Sequence, residues 1–198
     1  MTQIDYYFST ISPFTYLAQN GLEELAQRQG ATIAYKPLDI FALFGRTGGV
    51  PVKERHENRQ AYRLQELRRG AAKAGVTLNM PAAFWPTNGA PSAYAVIAAD
   101  RDGSGNTGKL VQAILRSCFA EEKDVADDAV IKACLTEAGF DPSLADTGML
   151  SSAESYAQNL EEGVNRGVFG APFYLVGEER FWGHDRLADL ELHLEGKI

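Results

Sequence analysis

Four residues at a bend, Ser12-Pro13-Phe14-Thr15, carry the first chemistry of the sequence. They follow the alternating stretch QIDYYFS and precede Phe14, Ala18, Leu22 and Leu25 at helical spacing, so Ser12 stands where a strand turns into a helix that runs to Gly30. Redox proteins set a Cys-x-x-Cys pair at such turns, because the helix N-terminus carries about half a positive charge and free N–H donors that stabilise a thiolate. Here serine and threonine stand instead. Ser before Pro is itself a strong helix start: the hydroxyl caps a backbone N–H, worth about 1 kcal/mol, and proline at the first helical position loses no hydrogen bond. Two roles therefore stay open for Ser12: a helix cap, or a hydroxyl that donates to an anion such as a thiolate brought from outside. No Gly-x-Ser-x-Gly elbow is present and no motif ties any of the three histidines to Ser12, which speaks against a serine hydrolase.

A second group of residues is cationic. Between Lys53 and Lys73 seven Lys or Arg stand against three Glu, in a chain whose formal net charge is −7. Arg55, Arg59 and Arg63 repeat at spacing four, and the preceding stretch FALFGRTGGVP adds Phe44 and Arg46. Cations beside flat apolar walls suit an anionic aromatic molecule. A solvated helix face accounts for Arg59 and Arg63, and Arg55, nearest the loop, is the one placed to reach a ligand.

The elements that position these residues follow from the apolar pattern. ATIAYKPLDI reads as a second strand, which makes a parallel right-handed βαβ unit with the first. Residues 41–51, with three glycines and a proline, read as a loop, and the absence of a Gly-Lys-Ser/Thr ending excludes a phosphate-binding loop. Helical patterns follow at about 53–74, 88–101, 107–121, 127–138 and 150–166, the first with an apolar seam of Leu64, Leu67, Ala71 and Ala74. PFYLV and RFW then read as a hairpin, and DRLADLELHL as a last helix buried through Leu187, Leu190 and Leu194. The expected architecture is α/β: a thioredoxin-like fold formed by residues 1–50 and 167–198, interrupted once by an all-helical insertion over 51–166.

Composition narrows the function classes. The acidic balance argues against a sequence-independent nucleic-acid binder. No apolar run approaches the roughly 18 residues of a membrane span and no secretory leader is evident, so a cytoplasmic protein without membrane partners is expected. Cys118 and Cys134 lie in apolar helical patterns without metal-ligand spacing; they are expected to be buried, and no metal site is expected.

Three stretches resemble one family. DYYFSTISPFTYLA, MPAAFWPTN at 80–88 and GVFGAPFYLVGEERFWGHDRL at 167–187 resemble the 2-hydroxychromene-2-carboxylate isomerases, relatives of kappa-class glutathione transferases and DsbA oxidoreductases. The resemblance covers nearly the whole chain and places Ser12 and Thr15 where a DsbA relative has its two cysteines. It implies a homodimer that uses glutathione as cofactor, with Ser12 as the catalytic residue that lowers the pKa of the glutathione thiol. Ala171-Pro172 matches a position where a cis-proline presents the preceding backbone to the peptide, whereas most X-Pro bonds are trans. Trp182, Gly183, His184 and Asp185 match the segment that holds the γ-glutamyl end.

Simpler readings accompany these. Asp185 suits an N-cap of the last helix, Trp182 and Phe181 suit the core, and His184 suits a backbone contact. Arg55 and Phe84 match a polar and an aromatic substrate position. The chain departs from the naphthalene-pathway members at Phe44-Gly45, where they have a lysine, and at Glu54-Arg55, where they have Asn-Arg. The reaction implied is a cis/trans isomerisation through reversible thiolate addition. A glutathione transferase and a non-catalytic glutathione-binding module are the alternatives, and Ser12 and Thr15 disfavour a dithiol oxidoreductase.

Overall fold

Alternation puts Ile4, Tyr6 and Phe8 on one face of the first strand, while Tyr7 is buried on the other, because both faces of this sheet are covered. The structure, a computed structural model, describes residues 1–198. The chain runs β1 (Gln3–Phe8), α1 (Pro13–Leu17), α2 (Gly21–Gln29) and β2 (Thr32–Pro37). Six helices follow: α3 (Ile40–Thr47), α4 (Glu57–Ala74), α5 (Ala90–Asp102), α6 (Thr107–Phe119), α7 (Asp128–Glu137) and α8 (Met149–Asn165). It closes with β3 (Phe173–Val176), β4 (Glu179–Trp182) and α9 (Leu187–Leu194). The sheet order is β2-β1-β3-β4. β1 pairs parallel with β2 from Gln3↔Thr32 to Phe8↔Pro37, and antiparallel with β3, Tyr7 facing Phe173. This is the α/β thioredoxin-like fold with a helical insertion. No helix is long and apolar enough to cross a membrane.

The main core joins Tyr6, Phe8 and Tyr174 on one sheet face to α2, α5, α6 and α7, with Tyr6 stacked on both Phe8 and Tyr174 at ring-centroid distances of 4.6 and 5.3 Å. Cys118 and Cys134 are buried in it. A smaller core on the opposite face gathers Tyr7, Leu38, Leu43, Val168, Phe173 and Leu175. A third, of Leu17, Leu67 and Ala71, docks α4 onto α1.

Three local expectations are corrected. Residues 41–51 are not a loop throughout: α3 runs to Thr47, because Asp39 Oδ1 accepts from the N–H groups of Phe41 (2.9 Å) and Ala42 (3.1 Å), Leu43 is buried, and the chain stops only at left-handed Gly48. The helix from Pro13 is broken at Ala18–Asn20, with Gln19 at φ 49°. The break lets Leu17 pack against α4 while Leu22 and Leu25 enter the main core. It also brings Gly21 against α9, where a Cβ would lie 2.7 Å from Leu187 Cδ1. Finally, Leu64 is exposed, and the buried seam of α4 runs through Leu67, Gly70 and Ala71.

One polar cluster ties the insertion to the sheet. Asp5, nearly buried on β1, accepts from Gln3 Nε2 at 2.8 Å, is bonded by Arg166 at the end of α8, and lies 3.4 Å from Lys36 Nζ. Lys36 reaches Glu162 of α8 at 2.6 Å, and Arg166 Nη2 donates to Gly177 O in the β3–β4 turn at 2.8 Å. Burial alone would raise the Asp5 carboxyl, but the hydrogen bonds from Arg166 and Gln3 and the charges of Lys36 and Arg166 outweigh it, and its pKa is lowered. The unfolded chain therefore binds this proton more readily, so Asp5 contributes stability above about pH 4 that is lost as pH falls through its lower folded value. In urea melts, Asp5→Asn is expected to be less stable than the parent at pH 7, with the gap narrowing as pH drops towards 3. A gap that does not change with pH would mean that the Asp5 charge is not what ties the elements together.

Candidate active site

Because β1 and β3 are antiparallel neighbours, the residues just after β1 and just before β3 must meet. Ser12 does meet Ala171: its Oγ donates to Ala171 O at 3.3 Å and accepts from Thr15 N at 3.2 Å, capping α1. Ser12 is 8% exposed, and no carboxylate or imidazole reaches its hydroxyl. With its lone pair on Thr15 and its proton on a long bond to a carbonyl, it is a hydroxyl ready to donate elsewhere, and nothing beside it could take its proton. The N–H groups of Phe14 and Ala171 donate to no protein acceptor. The Ala171-Pro172 peptide is cis, and Pro172 O accepts from Gly183 N at 3.0 Å, which fixes the segment after β4 against the bend.

Two adjoining cavities open here. An inner one of about 110 Å³ is walled by Ser12, Phe14, Phe41, Phe44, Trp85 and Trp182. An outer trough of about 580 Å³ runs between α4 and residues 182–186. Phe14, Arg55, Arg63, Ala171 and Trp182 border both. Trp182, 54% exposed, lies over Gly170, where a Cβ would sit 2.4 Å from its Nε1, and meets Phe169 edge-on at 4.8 Å. It is therefore a wall of the site, not a core residue; only its neighbour Phe181 is buried. Gly183 has φ 121°, a conformation open to glycine, and a Cβ there would strike Asp185 Oδ1 at 2.6 Å. His184 is stacked on Phe14 at 5.6 Å, and burial lowers its pKa, leaving a neutral ring at pH 7. Asp185 is not the cap of α9, which begins two residues later; it faces the trough and pairs with Arg186 at 3.1 Å.

The structure thus brings together Ser12, Phe44, Arg55, Ala171, Trp182, Gly183, His184 and Asp185, with Pro172 directly behind. It does not bring Phe84, which is 52% exposed and borders neither cavity. Its neighbour Trp85 does, anchored by a 2.8 Å hydrogen bond from Nε1 to Ile11 O. Adjacent residues of an irregular segment point apart, and the sequence does not say which of the two faces inward.

The larger correction is Arg63. Expected on a solvated face, it is 8% exposed, because α4 presents it, in line with Leu67, to the docking surface. Its guanidinium rests over the rings of Phe14 (5.6 Å) and Trp85 (5.4 Å). Burial and the nearby Arg55 charge push its pKa down to about 10, still well above neutrality, and no hydrogen bond opposes them. The acid one turn on, Glu66, is taken by Arg69. Arg55 is half-buried over Phe44 (5.7 Å) and donates through Nε to Val50 O at 2.7 Å. Arg59, in the same row, is exposed on the trough rim as expected.

Comparison with known proteins agrees in fold and length. The DsbA-like thioredoxin domain matches residues 3–195. A 2-hydroxychromene-2-carboxylate isomerase of Sphingobium xenophagum is 34% identical over 194 residues, covering 96% of this chain and 97% of that one. Glutathione S-transferase kappa 1 of Caenorhabditis elegans is 27% identical, covering 96% of this chain and 91% of that one. A solved 2-hydroxychromene-2-carboxylate isomerase superposes with a TM-score of 0.75 at 26% identity, covering 98% of this chain and 95% of that one.

A buried cation without an anion costs several kcal/mol, against about 2 kcal/mol from desolvated cation–π contacts. Arg63→Met is therefore expected to raise the unfolding midpoint of the ligand-free protein by a few degrees, read by calorimetry. A lowered midpoint would mean that the guanidinium is a structural bond of the fold.

Proposed function

The chain belongs to the 2-hydroxychromene-2-carboxylate isomerase family of DsbA-like thioredoxin proteins, and from that footing we propose that it is a glutathione-dependent cis/trans isomerase of aromatic carboxylates resembling 2-hydroxychromene-2-carboxylate. The observation that carries the reading is the Ser12 hydroxyl: a base-free donor at the first turn of a helix, in the wall of an aromatic pocket that adjoins a polar trough.

The trough suits glutathione in chemistry. Ala171, presented by cis-Pro172, offers an unused N–H to a peptide backbone. Asp185 suits an ammonium, and the adjacent Gly183–His184 turn and Trp182 form the floor on which a γ-glutamyl group would lie. When bound, glutathione supplies a thiolate nucleophile whose reversible addition to a conjugated carbon allows rotation about the former double bond. Ser12 holds that sulfur by one neutral hydrogen bond, supported by the N–H of Phe14, which favours the anion without quenching its nucleophilicity. Phe44, Phe41, Trp85 and Trp182 hold an aromatic ring and exclude water from the inner cavity. Arg55 and Arg63, both cationic at neutral pH, draw the substrate acid to the same junction.

The kappa-class relative favours a second reading, conjugation with release of the adduct, which needs the same thiol-binding groups. Isomer formation without net consumption of glutathione distinguishes the first reading; accumulation of a thioether product indicates the second. Ligand binding with neither product would indicate a binding module.

Ser12→Ala is expected to lower kcat with 2-hydroxychromene-2-carboxylate about 100-fold, the scale of one lost donor to a developing charge. The calorimetric Kd for reduced glutathione should change less than about threefold, because peptide contacts dominate affinity. Equal losses in both would reduce Ser12 to a binding group and cap.

A further inference from the structure

Of the cations around the site, Arg63 is unlike the rest. Arg186 is paired with Asp185 at 3.1 Å and Asp189 at 2.9 Å; Arg59 is exposed on the rim; Arg55 spends its Nε on Val50 O. Arg63 is more than nine-tenths buried, has no carboxylate and no hydrogen-bond acceptor in the protein, and borders both cavities. Its guanidinium lies over the rings of Phe14 and Trp85, which also form walls of the inner cavity. A guanidinium held this way keeps its planar fork of N–H donors unused, and the group that satisfies two of them at once is a carboxylate.

We propose that Arg63 is the residue by which this chain selects its substrate: it receives the carboxylate of a conjugated aryl acid whose ring occupies the aromatic inner cavity. The inference rests on the reading of the site given above and sharpens it by assigning acid recognition to α4. An inner cavity of about 110 Å³, open on the trough side, has room for no more than one aromatic ring, since a cavity of roughly 150 Å³ accommodates benzene. The ring must therefore leave its acid-bearing chain towards the junction that Arg63 borders, with Ser12 in the wall of the inner cavity beside it. Phe44 in the inner wall contributes no charge, so the acid finds its fork on α4 and not on α3.

The test is calorimetric titration of the purified full-length protein, without glutathione, with cinnamate and with methyl cinnamate, which has the same ring and double bond but no charge. The parent protein is expected to prefer cinnamate at least tenfold. Arg63→Met should bring the ratio close to one, and Arg63→Lys, which keeps the charge and loses the fork, should fall between. Arg68→Met, on the same helix but bordering a separate groove, should keep the parental ratio. Absence of a preference in the parent, or its persistence in Arg63→Met, would overturn the proposal. Reduced glutathione titrated into the same proteins separates the two sources of a carboxylate. Unchanged affinity in Arg63→Met supports the substrate, while loss of glutathione binding with the cinnamate preference intact assigns Arg63 to the peptide and overturns it. An Arg63-dependent preference without isomerisation in the presence of glutathione would uphold the anion site and discard the reaction.

Discussion

The site depends on one pairing, β1 against β3. These strands are far apart in sequence, and their antiparallel register sets Tyr7 opposite Phe173. The chain leaving β1 and the chain entering β3 are thereby forced to the same end of the sheet. Ser12 lies four residues past the end of β1 and Ala171 two before the start of β3, so the strand pairing brings the hydroxyl within 3.3 Å of the backbone carbonyl it donates to. The ladder is held from behind by Asp5, whose links to Lys36 and Arg166 join β1 to β2 and to the last helix of the insertion. The candidate site at one end of the sheet therefore rests on a charge cluster beside its middle.

The insertion contributes what the sheet cannot: a cover and a cation. Leu67 and Ala71 seat α4 on Leu17, and Gly70 permits the approach, since a Cβ there would lie 2.5 Å from Leu17 Cδ1 and 3.3 Å from His184 Nε2. Once that seam is buried, Arg63, one helical turn before Leu67, is carried under the surface with it. Desolvation of this guanidinium is an unfavourable contribution accepted by the fold, and such contributions concentrate where function needs them. The same docking sets Phe14 between Arg63 and His184, so one aromatic ring couples the cation on α4 to the segment after β4.

Much of this was legible in the sequence. Period-two and helical patterns placed the four strands and the helices of the insertion close to their observed positions, and the Ser12, Ala171-Pro172 and 182–185 stretches converge in space. The misses share a cause. Glycine and proline content made residues 41–51 look like a loop, but a capped, half-apolar segment folds as a helix when Leu43 has a core to enter. Charge alone puts Arg63 on the solvated face; stepping back four residues from Leu67 along the buried seam lands on it, whereas Leu64, more apolar, faces outward. Tertiary docking, not residue type, decided which side chain was buried. Trp85 against Phe84 had no periodic signal to settle it.

Under the proposed reaction, the serine at the bend also determines where the reactive sulfur must come from. A dithiol enzyme needs an accessible thiol of low pKa. The chain's own thiols are the reverse: Cys118 and Cys134 are buried between α6 and α7, and burial pushes Cys118 up to about 12. Thr15, at the second position of the motif, is fully buried. What remains at the bend is a helix N-terminus, a hydroxyl whose proton is held only by a long 3.3 Å bond to Ala171 O, and two unused N–H groups, an arrangement that stabilises an anion but has none of its own. Under the proposed reaction this separation is an advantage. A cysteine in place of Ser12 would capture a bound thiol as a mixed disulfide under oxidation, whereas a hydroxyl cannot exchange with sulfur. The bound thiol then stays free to add to carbon and to leave again, which is the property an isomerase needs and a disulfide oxidoreductase does not.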